Sequence, residues 1–294
     1  MRASDFVHLH LHSQYSLLDG AIRLKALMAR ATEYRMPALA ITDHGSMYGA
    51  IKFHRAAKAA GIKPILGCEL YVAPGSRLER APVAEGGDQT YHLTVLARNE
   101  EGYRNLIQLV TRAHLEGFYY RPRVDRELLE RYRRGLIAMS GCLSGEINQL
   151  LLSGLREKAR LAASYYRELF GPEGFYLELQ EQGLEEQKLL IPEMIELGKE
   201  LGIPLVATND VHYLDHRDHR AHEVLLCIQT GKTINDEKRL RMASDQFYFK
   251  SPGEMKTIFA ELPDALSNTR VIAEMCELEL EFGVRHHLPN YDPP

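Results

Sequence analysis

No apolar run in the chain approaches the roughly 20 residues that a membrane span requires, and the first ten residues, MRASDFVHLH, lack the apolar centre of a secretory signal. These absences point to a cytoplasmic protein with no membrane partner. Cysteine is sparse: Cys68, Cys142, Cys227 and Cys276 are scattered without a CxxC pair, which argues against a disulfide framework and against a zinc ribbon. Charge of one sign is also lacking. The 36 basic and 40 acidic residues give a net charge of -4, so no global footprint exists for holding duplex nucleic acid unaided. Tryptophan is absent altogether, whereas histidine occurs thirteen times, often beside apolar runs. Histidine in that setting suggests metal.

With 294 residues, 45% of them apolar, the chain can bury a large core. Short β-rich runs alternate with helical patterns, as in βα units around a parallel sheet. Seven strands are expected, at Phe6–His12, Ala38–Thr42, Lys63–Ala73, Tyr91–Ala97, Gly135–Ser140, Gly174–Gln180 and Ile203–Thr208. Helices are expected between them, including Arg23–Tyr34 and Glu185–Leu201, where Pro192 could introduce a kink. Pro74–Thr90 is rich in Gly, Pro, Ala and charge without periodicity and reads as a mobile loop. Beyond Leu214 helices follow, near Arg217–Gln229, Ser251–Ala260 and Asp264–Phe282. The second opens on Ser251, Pro252 and Glu254, a cap, a first-turn proline and a capping-box glutamate. The expected division is a barrel core over 1–214, a helical extension over 215–285, and a linker over 286–294 toward further polypeptide.

The chemistry starts at HLHLHS, positions 8–13. In a regular strand His8, His10 and His12 would share one face, roughly 6.6 Å apart at ~3.3 Å per residue, close enough for two imidazoles to hold one ion. Later strand ends also carry ligand-type residues: Asp43 and His44 in ITDHG, Glu69 in LGCEL, Cys142 in SGC, and Asp210 and His212 in TNDVH. The C-terminal ends of parallel barrel strands converge on one face, and ionisable groups buried there are costly unless paired or bound to metal. His92 fits this pattern poorly, since it opens its apolar run, YHLTVLA, and taken alone it reads as structural. Cys68, adjacent to Glu69, should point to the opposite face. Asp43 is placed to orient the neighbouring imidazole. His216, His219 and His222 share a helix face and read as a polar surface rather than a second metal site, and His286 and His287 carry no pattern. Arg77 and Arg80, and the arginine and tyrosine stretch FYYRPRVDRELLERYRRG at 118–135, are candidate contacts for a single strand. Within that stretch Arg123 is a candidate substrate grip, while Arg131, Arg133 and Arg134 suit a solvated helix end.

Taken in order, HLHSQYSLLDG, ALAITDHG, GCELYVAP, YHLTVLA, SGCLSGE and TNDVHYL resemble the polymerase and histidinol phosphatase (PHP) domain, in the version found at the N-terminus of bacterial replicative DNA polymerase III α subunits. The resemblance covers essentially the whole chain and implies an α/β fold, a distorted (β/α)7 TIM-like barrel with a helical C-terminal extension. It also implies a trinuclear site. His10, His12, Glu69 and Asp210 would surround one ion, Glu69, His92 and Cys142 a second, and Asp19, His44 and His212 a third, with His8 left out. Zinc suits this donor set, with manganese or iron also possible, and zinc-activated hydroxide could attack a phosphoester near neutral pH. His10, His12, Glu69 and Asp210 would carry the catalytic step. The implied activity is 3′→5′ exonuclease action of a proofreading type on primer-template or single-stranded DNA. The implied partners are the remainder of the α subunit and other replisome subunits. A small-molecule phosphomonoesterase and a purely structural polymerase module are the alternatives.

Overall fold

A computed structural model describes residues 4–80 and 90–283. The strands are β1 (Ala38–Ile41), β2 (Lys63–Val72), β3 (Tyr91–Ala97), β4 (Arg123–Val124), β5 (Leu136–Met139), β6 (Phe175–Gln180) and β7 (Leu205–Thr208). The helices are α1 (Leu24–Glu33), α2 (Ala50–Ala59), α3 (Glu100–Leu115), α4 (Arg126–Tyr132), α5 (Glu146–Leu152), α6 (Arg156–Phe170), α7 (Glu185–Leu201), α8 (His219–Thr230), α9 (Pro252–Ile258) and α10 (Pro263–Met275). None of the helices among the described residues is long and apolar enough to cross a membrane.

The sheet runs β1-β2-β3-β5-β6-β7, with β4 pairing β2 off the main path. Six of the seven expected strands form. The exception is Phe6–His12, which makes isolated bridges rather than a ladder. It still joins the two ends of the sheet. Ala40 N–H donates to the His8 carbonyl at 3.0 Å on the β1 side, and His12 N–H donates to the Val211 carbonyl at 2.7 Å beyond β7. The expected parallel sheet is broken at β3, which lies antiparallel to both β2 and β5. The cause is the segment between β2 and β3. A parallel pair needs a crossover, usually helical, and 74–90 has no helical pattern, so the chain simply turns back. Of that segment, 81–89 lie outside the described residues, as do His286, His287 and the expected linker.

Alternation along each strand sorts the core. Outward residues such as Leu39, Leu66, Val95 and Leu177 pack under the helices, while inward Ala40, Ile65, Leu96, Ile137, Tyr176 and Val206 form an apolar floor. Ile272 and Ala273 of α10 pack against that floor. Above it the inward positions turn polar: Glu69, Thr94, Glu178 and Thr208 are all buried. The barrel is therefore plugged below and carries its chemistry at one end.

The capping box at Ser251 and Glu254 forms as expected, and α7 runs through Pro192 uninterrupted. The last helix is shorter than expected. From Cys276 the pattern CELELEF alternates with period two, so the chain leaves α10 extended, with Cys276 and Leu278 buried and Glu277 and Glu279 exposed.

Candidate metal centre

Side chains from five separate segments meet above the apolar floor. His10 and His12 come from the closing segment, His44 follows β1, Glu69 sits near the end of β2, His92 near the start of β3, and Asp210 and His212 follow β7. The reversal of β3 explains His92. Because that strand runs backwards, its first residues lie at the end where the parallel strands finish, with His92 opposite Tyr71 and Thr94 opposite Glu69.

At the centre, His10 Nε2 and His12 Nε2 face each other at 3.1 Å. Asp210 Oδ1 lies 3.3 Å from the first and 3.1 Å from the second. Glu69 lies 3.4 Å from each, through Oε1 to His10 and Oε2 to His12. Its Oε2 is also 2.6 Å from His44 Nδ1, and its Oε1 is 3.0 Å from His92 Nδ1. Cys142 Sγ stands 3.5 Å from His92 Nδ1. On the opposite flank, Asp19 Oδ2 is 3.2 Å from His44 Nε2 and 4.0 Å from His212 Nε2. All nine expected ligands thus gather in one cluster. Among the described residues three groups converge closely enough to hold an ion: His10 with His12 and Glu69, His44 with Glu69 and His92, and His12 with His44 and His212.

The neighbouring hydrogen bonds fix the tautomers. His10 Nδ1 lies 2.6 Å from Glu178 Oε1, an acceptor, so Nδ1 carries a proton and, in the neutral ring, Nε2 presents a lone pair. His12 Nδ1 lies 2.9 Å from Ser16 Oγ, whose hydroxyl donates to Asp43 Oδ1 at 3.1 Å. His12 Nδ1 must then be the donor, and its Nε2 also presents a lone pair. The 3.1 Å contact is satisfied by a proton between the two nitrogens, which the raised pKa of His10 supplies, or by a metal cation in its place, held by both lone pairs and the two carboxylates. Asp43 therefore acts on His12 through Ser16, and not on its neighbour His44 as the sequence suggested.

The donor atoms fit such an ion. Zinc–nitrogen and zinc–oxygen distances of about 2.0–2.1 Å give tetrahedral edges of roughly 3.3–3.4 Å, close to the 3.1–3.4 Å spacings among His10, His12, Glu69 and Asp210. Four buried atoms of the cluster lack any hydrogen-bond partner: Asp19 Oδ1, His44 Nδ1, Glu69 Oε2 and Asp210 Oδ1. Glu69 Oε2 and His44 Nδ1 are near neighbours but poorly aligned for a hydrogen bond. Unsatisfied groups of this kind are costly, and metal ligation removes the cost.

The electrostatics agree. Burial pulls the His10 imidazole down, but the carboxylates of Glu178, Asp210 and Glu69 outweigh it and hold its pKa well above the ordinary value. His44 is likewise held up against burial by Asp19 and Glu69. His12, buried beside His44 and His212, is driven down to about 3. Burial raises the Cys142 thiol, and nearby Glu69 and Asp210 raise it further, so its thiolate requires added positive charge.

Several expectations change. His8 lies outside the cluster as expected, but not on the shared face: without a regular strand its ring turns to lie 4.4 Å from Phe249, and its Nε2 meets the Lys250 carbonyl at 2.8 Å. Arg77 is no surface grip. It is buried against Asp125, Glu116 and Glu127 at 2.8–3.0 Å. Arg123 is buried too, holding the carbonyls of Gly117, Arg77 and Glu79. Arg131, Arg133 and Arg134 are exposed at the end of α4, as expected. His216, His219 and His222 do not converge. His216 pairs with Asp245 at 2.9 Å, whereas His222 is buried and donates to the Asp19 carbonyl at 2.6 Å. Cys68 does point away, into the outer core.

Sequence reasoning overlooked Glu178. It is buried, and besides His10 it accepts from Thr94 Oγ1, Gly141 N–H, Gln180 Nε2 and Thr208 Oγ1. The available signal was a glutamate in the middle of the apolar strand FYLELQ.

A family model described as "PHP domain" matches residues 8–182. DNA polymerase III subunit alpha of Treponema pallidum is 49% identical over 280 residues, covering 95% of this chain and 24% of that protein. The subunit of the same name from Borreliella burgdorferi is 45% identical over 294 residues, covering 99% and 25%. The chain thus spans about a quarter of the length of the curated relatives it matches. Among solved structures, a Bifidobacterium adolescentis protein named for an inferred metal-dependent phosphoesterase activity aligns at 12% identity and a TM-score of 0.41, covering 70% of this chain and 87% of that one.

Proposed function

This chain belongs to the PHP domain family, and from that premise we propose that it is a metal-dependent phosphoesterase that trims the 3′ end of primer DNA as part of a replicative polymerase α subunit. Nine residues would hold three divalent ions, zinc first, with manganese or iron as alternatives. His10, His12, Glu69 and Asp210 take one, Glu69, His92 and Cys142 the second, and Asp19, His44 and His212 the third. Bound ions supply the Lewis acidity and the charge neutralisation that phosphoester hydrolysis needs.

The protein's own contribution is orientation and charge. Glu178 aims His10, the Asp43–Ser16 relay aims His12, and His222 fixes the Asp19 backbone. With Cys142 as thiolate the ligands carry about four negative charges, so three divalent ions leave the site about two positive and attractive to phosphate. Hydrolysis joins a water oxygen to phosphorus and breaks the bond to the 3′ oxygen of the penultimate nucleotide. A nucleoside 5′-monophosphate departs. The step needs no nucleophile from the chain itself.

The observation that carries this reading is the convergence of His10 Nε2, His12 Nε2, Asp210 Oδ1 and the Glu69 carboxylate at spacings of 3.1–3.4 Å. It is tested by elemental analysis of the purified chain, paired with cleavage of 3′-end-labelled and 5′-end-labelled single strands with and without chelator. Two to three metal equivalents with chelator-sensitive release from the 3′ end are expected. Bound metal with no cleavage of DNA would leave a structural module, and absence of metal after reconstitution would remove the premise. Primer-template DNA, the rest of the α subunit and other replisome subunits are the partners this reading proposes.

A further inference from the structure

Beside the cluster, a groove of about 310 Å³ opens from His44 to the surface. Its inner wall is Tyr71, whose buried ring lies 5.8 Å from His44 and 5.1 Å from His92. Further out, His114 stands between two exposed rings, 6.4 Å from Tyr48 and 6.3 Å from Phe118. Its Nε2 is pinned at 3.0 Å to the carbonyl of Gly45, whose own N–H donates to the Glu69 backbone. The groove is thus tied rigidly to the cluster.

Three rings on this groove are unusually open to solvent: Tyr48 at 60%, Phe118 at 51% and Tyr120 at 74%. Tyr120 is also strained, held at φ +58° in a tight turn where Tyr119 and Arg121 exchange backbone hydrogen bonds. A bulky residue rarely adopts that conformation, and such strain at an exposed ring is the kind retained at binding sites. Arg121, at 5.4 Å from the Tyr71 ring, adds positive charge at the inner end.

We infer that this groove is a stacking subsite for the unpaired terminal bases of a single strand whose last phosphodiester lies at the cluster. The inference rests on the phosphoesterase reading and adds to it the recognition of the base. The occupant follows from the chemistry. Flat, solvent-exposed rings suit nucleobases, which all offer a π-face and bind such platforms without regard to sequence. The continuity with His44 places the adjoining phosphate where the cluster would receive it.

The test uses the metal-loaded chain and two oligonucleotides of equal length, one with ordinary 3′-terminal bases and one abasic at its last two positions. Both carry a cleavage-resistant terminal linkage for binding measurements and a normal linkage for rate measurements. The base-bearing strand should bind at least about fivefold more tightly, the lower end of what one stacked base provides. Phe118→Ala and Tyr120→Ala should each erase most of that gap while leaving the abasic strand's binding and cleavage unchanged. A gap below twofold, or a gap that survives both substitutions, would overturn the subsite; a groove built for a polypeptide would give that result. A clear gap with neither strand cleaved would instead sink the hydrolysis reading and leave the subsite standing.

Discussion

Glu178 Oε1 lies 2.6 Å from His10 Nδ1, and four other buried donors converge on the same carboxylate. The carboxylate fixes the His10 tautomer and increases the basicity of the nitrogen that faces His12 and Asp210. Glu178→Ala should weaken the ion held by His10 by about 10–100-fold and lower phosphoester turnover accordingly. Metal content after dialysis against a graded chelator series measures this directly. Unchanged retention would mean that Glu178 serves only to satisfy the barrel interior.

Much of the site could be read from the sequence because its ligands sit at strand ends, and strand ends are marked by a switch from apolar to ionisable residues. The same reasoning misjudged His92 because residue spacing carries no strand direction; the lack of a helical pattern in the sequence of 74–90 was the available clue. It placed His8 on the shared face because it assumed a ladder, whereas 6–12 makes only isolated bridges. Glu178 escaped notice because a buried carboxylate within an apolar strand can be identified only once its partners are known. Arg77 and Arg123 read as strand or substrate contacts for the same reason: their acceptors, Glu116, Asp125 and the carbonyls of Gly117 and Glu79, are distant in sequence or carry no side-chain signal.

Arg77 yields a prediction that separates anchoring from DNA contact. Its guanidinium is buried among three carboxylates, and Arg123 holds the Arg77 carbonyl. Removing one partner of a buried charge network typically costs about 3 kcal/mol or more. Arg77→Ala should therefore lower the free energy of unfolding by about that amount. Its affinity for a single strand, measured well below the melting transition, should remain within twofold of wild type. A large loss of affinity with unchanged stability would restore Arg77 as a nucleic-acid contact.

Lys250 predicts a pH dependence. Its ammonium is buried, with Nζ 3.0 Å from Asn209 Oδ1 and close to the Gln246 carbonyl, and burial lowers its pKa from 10.5 to about 8. Between those values the unfolded chain binds more protons than the folded one, so this group makes stability rise with pH across that window. Against Lys250→Met, which removes the titration, wild type should gain up to about 3 kcal/mol between pH 7.5 and 10.5. Chemical unfolding of the two proteins at matched pH values gives the difference. A flat difference would show that the ammonium is better solvated than its surroundings indicate.

Tyr120 sets stability against binding at a single position. Its φ of +58° lies in the left-handed region, which costs an ordinary residue roughly 1–2 kcal/mol and glycine almost nothing. Its side chain is largely exposed, so deleting the ring sacrifices little packing. Glycine does gain conformational freedom in the unfolded chain, which offsets part of the relief. Tyr120→Gly should still stabilise the fold, by about 0.5–1 kcal/mol, equivalent to a rise of roughly 1–4 °C in Tm for a domain of this size. The same variant should lose the preference for base-bearing 3′ ends. Thermal unfolding and strand binding measured on one preparation test both halves. A variant less stable than wild type would show that contacts of the ring outweigh the backbone strain, and that the exposed tyrosine serves the fold rather than a ligand.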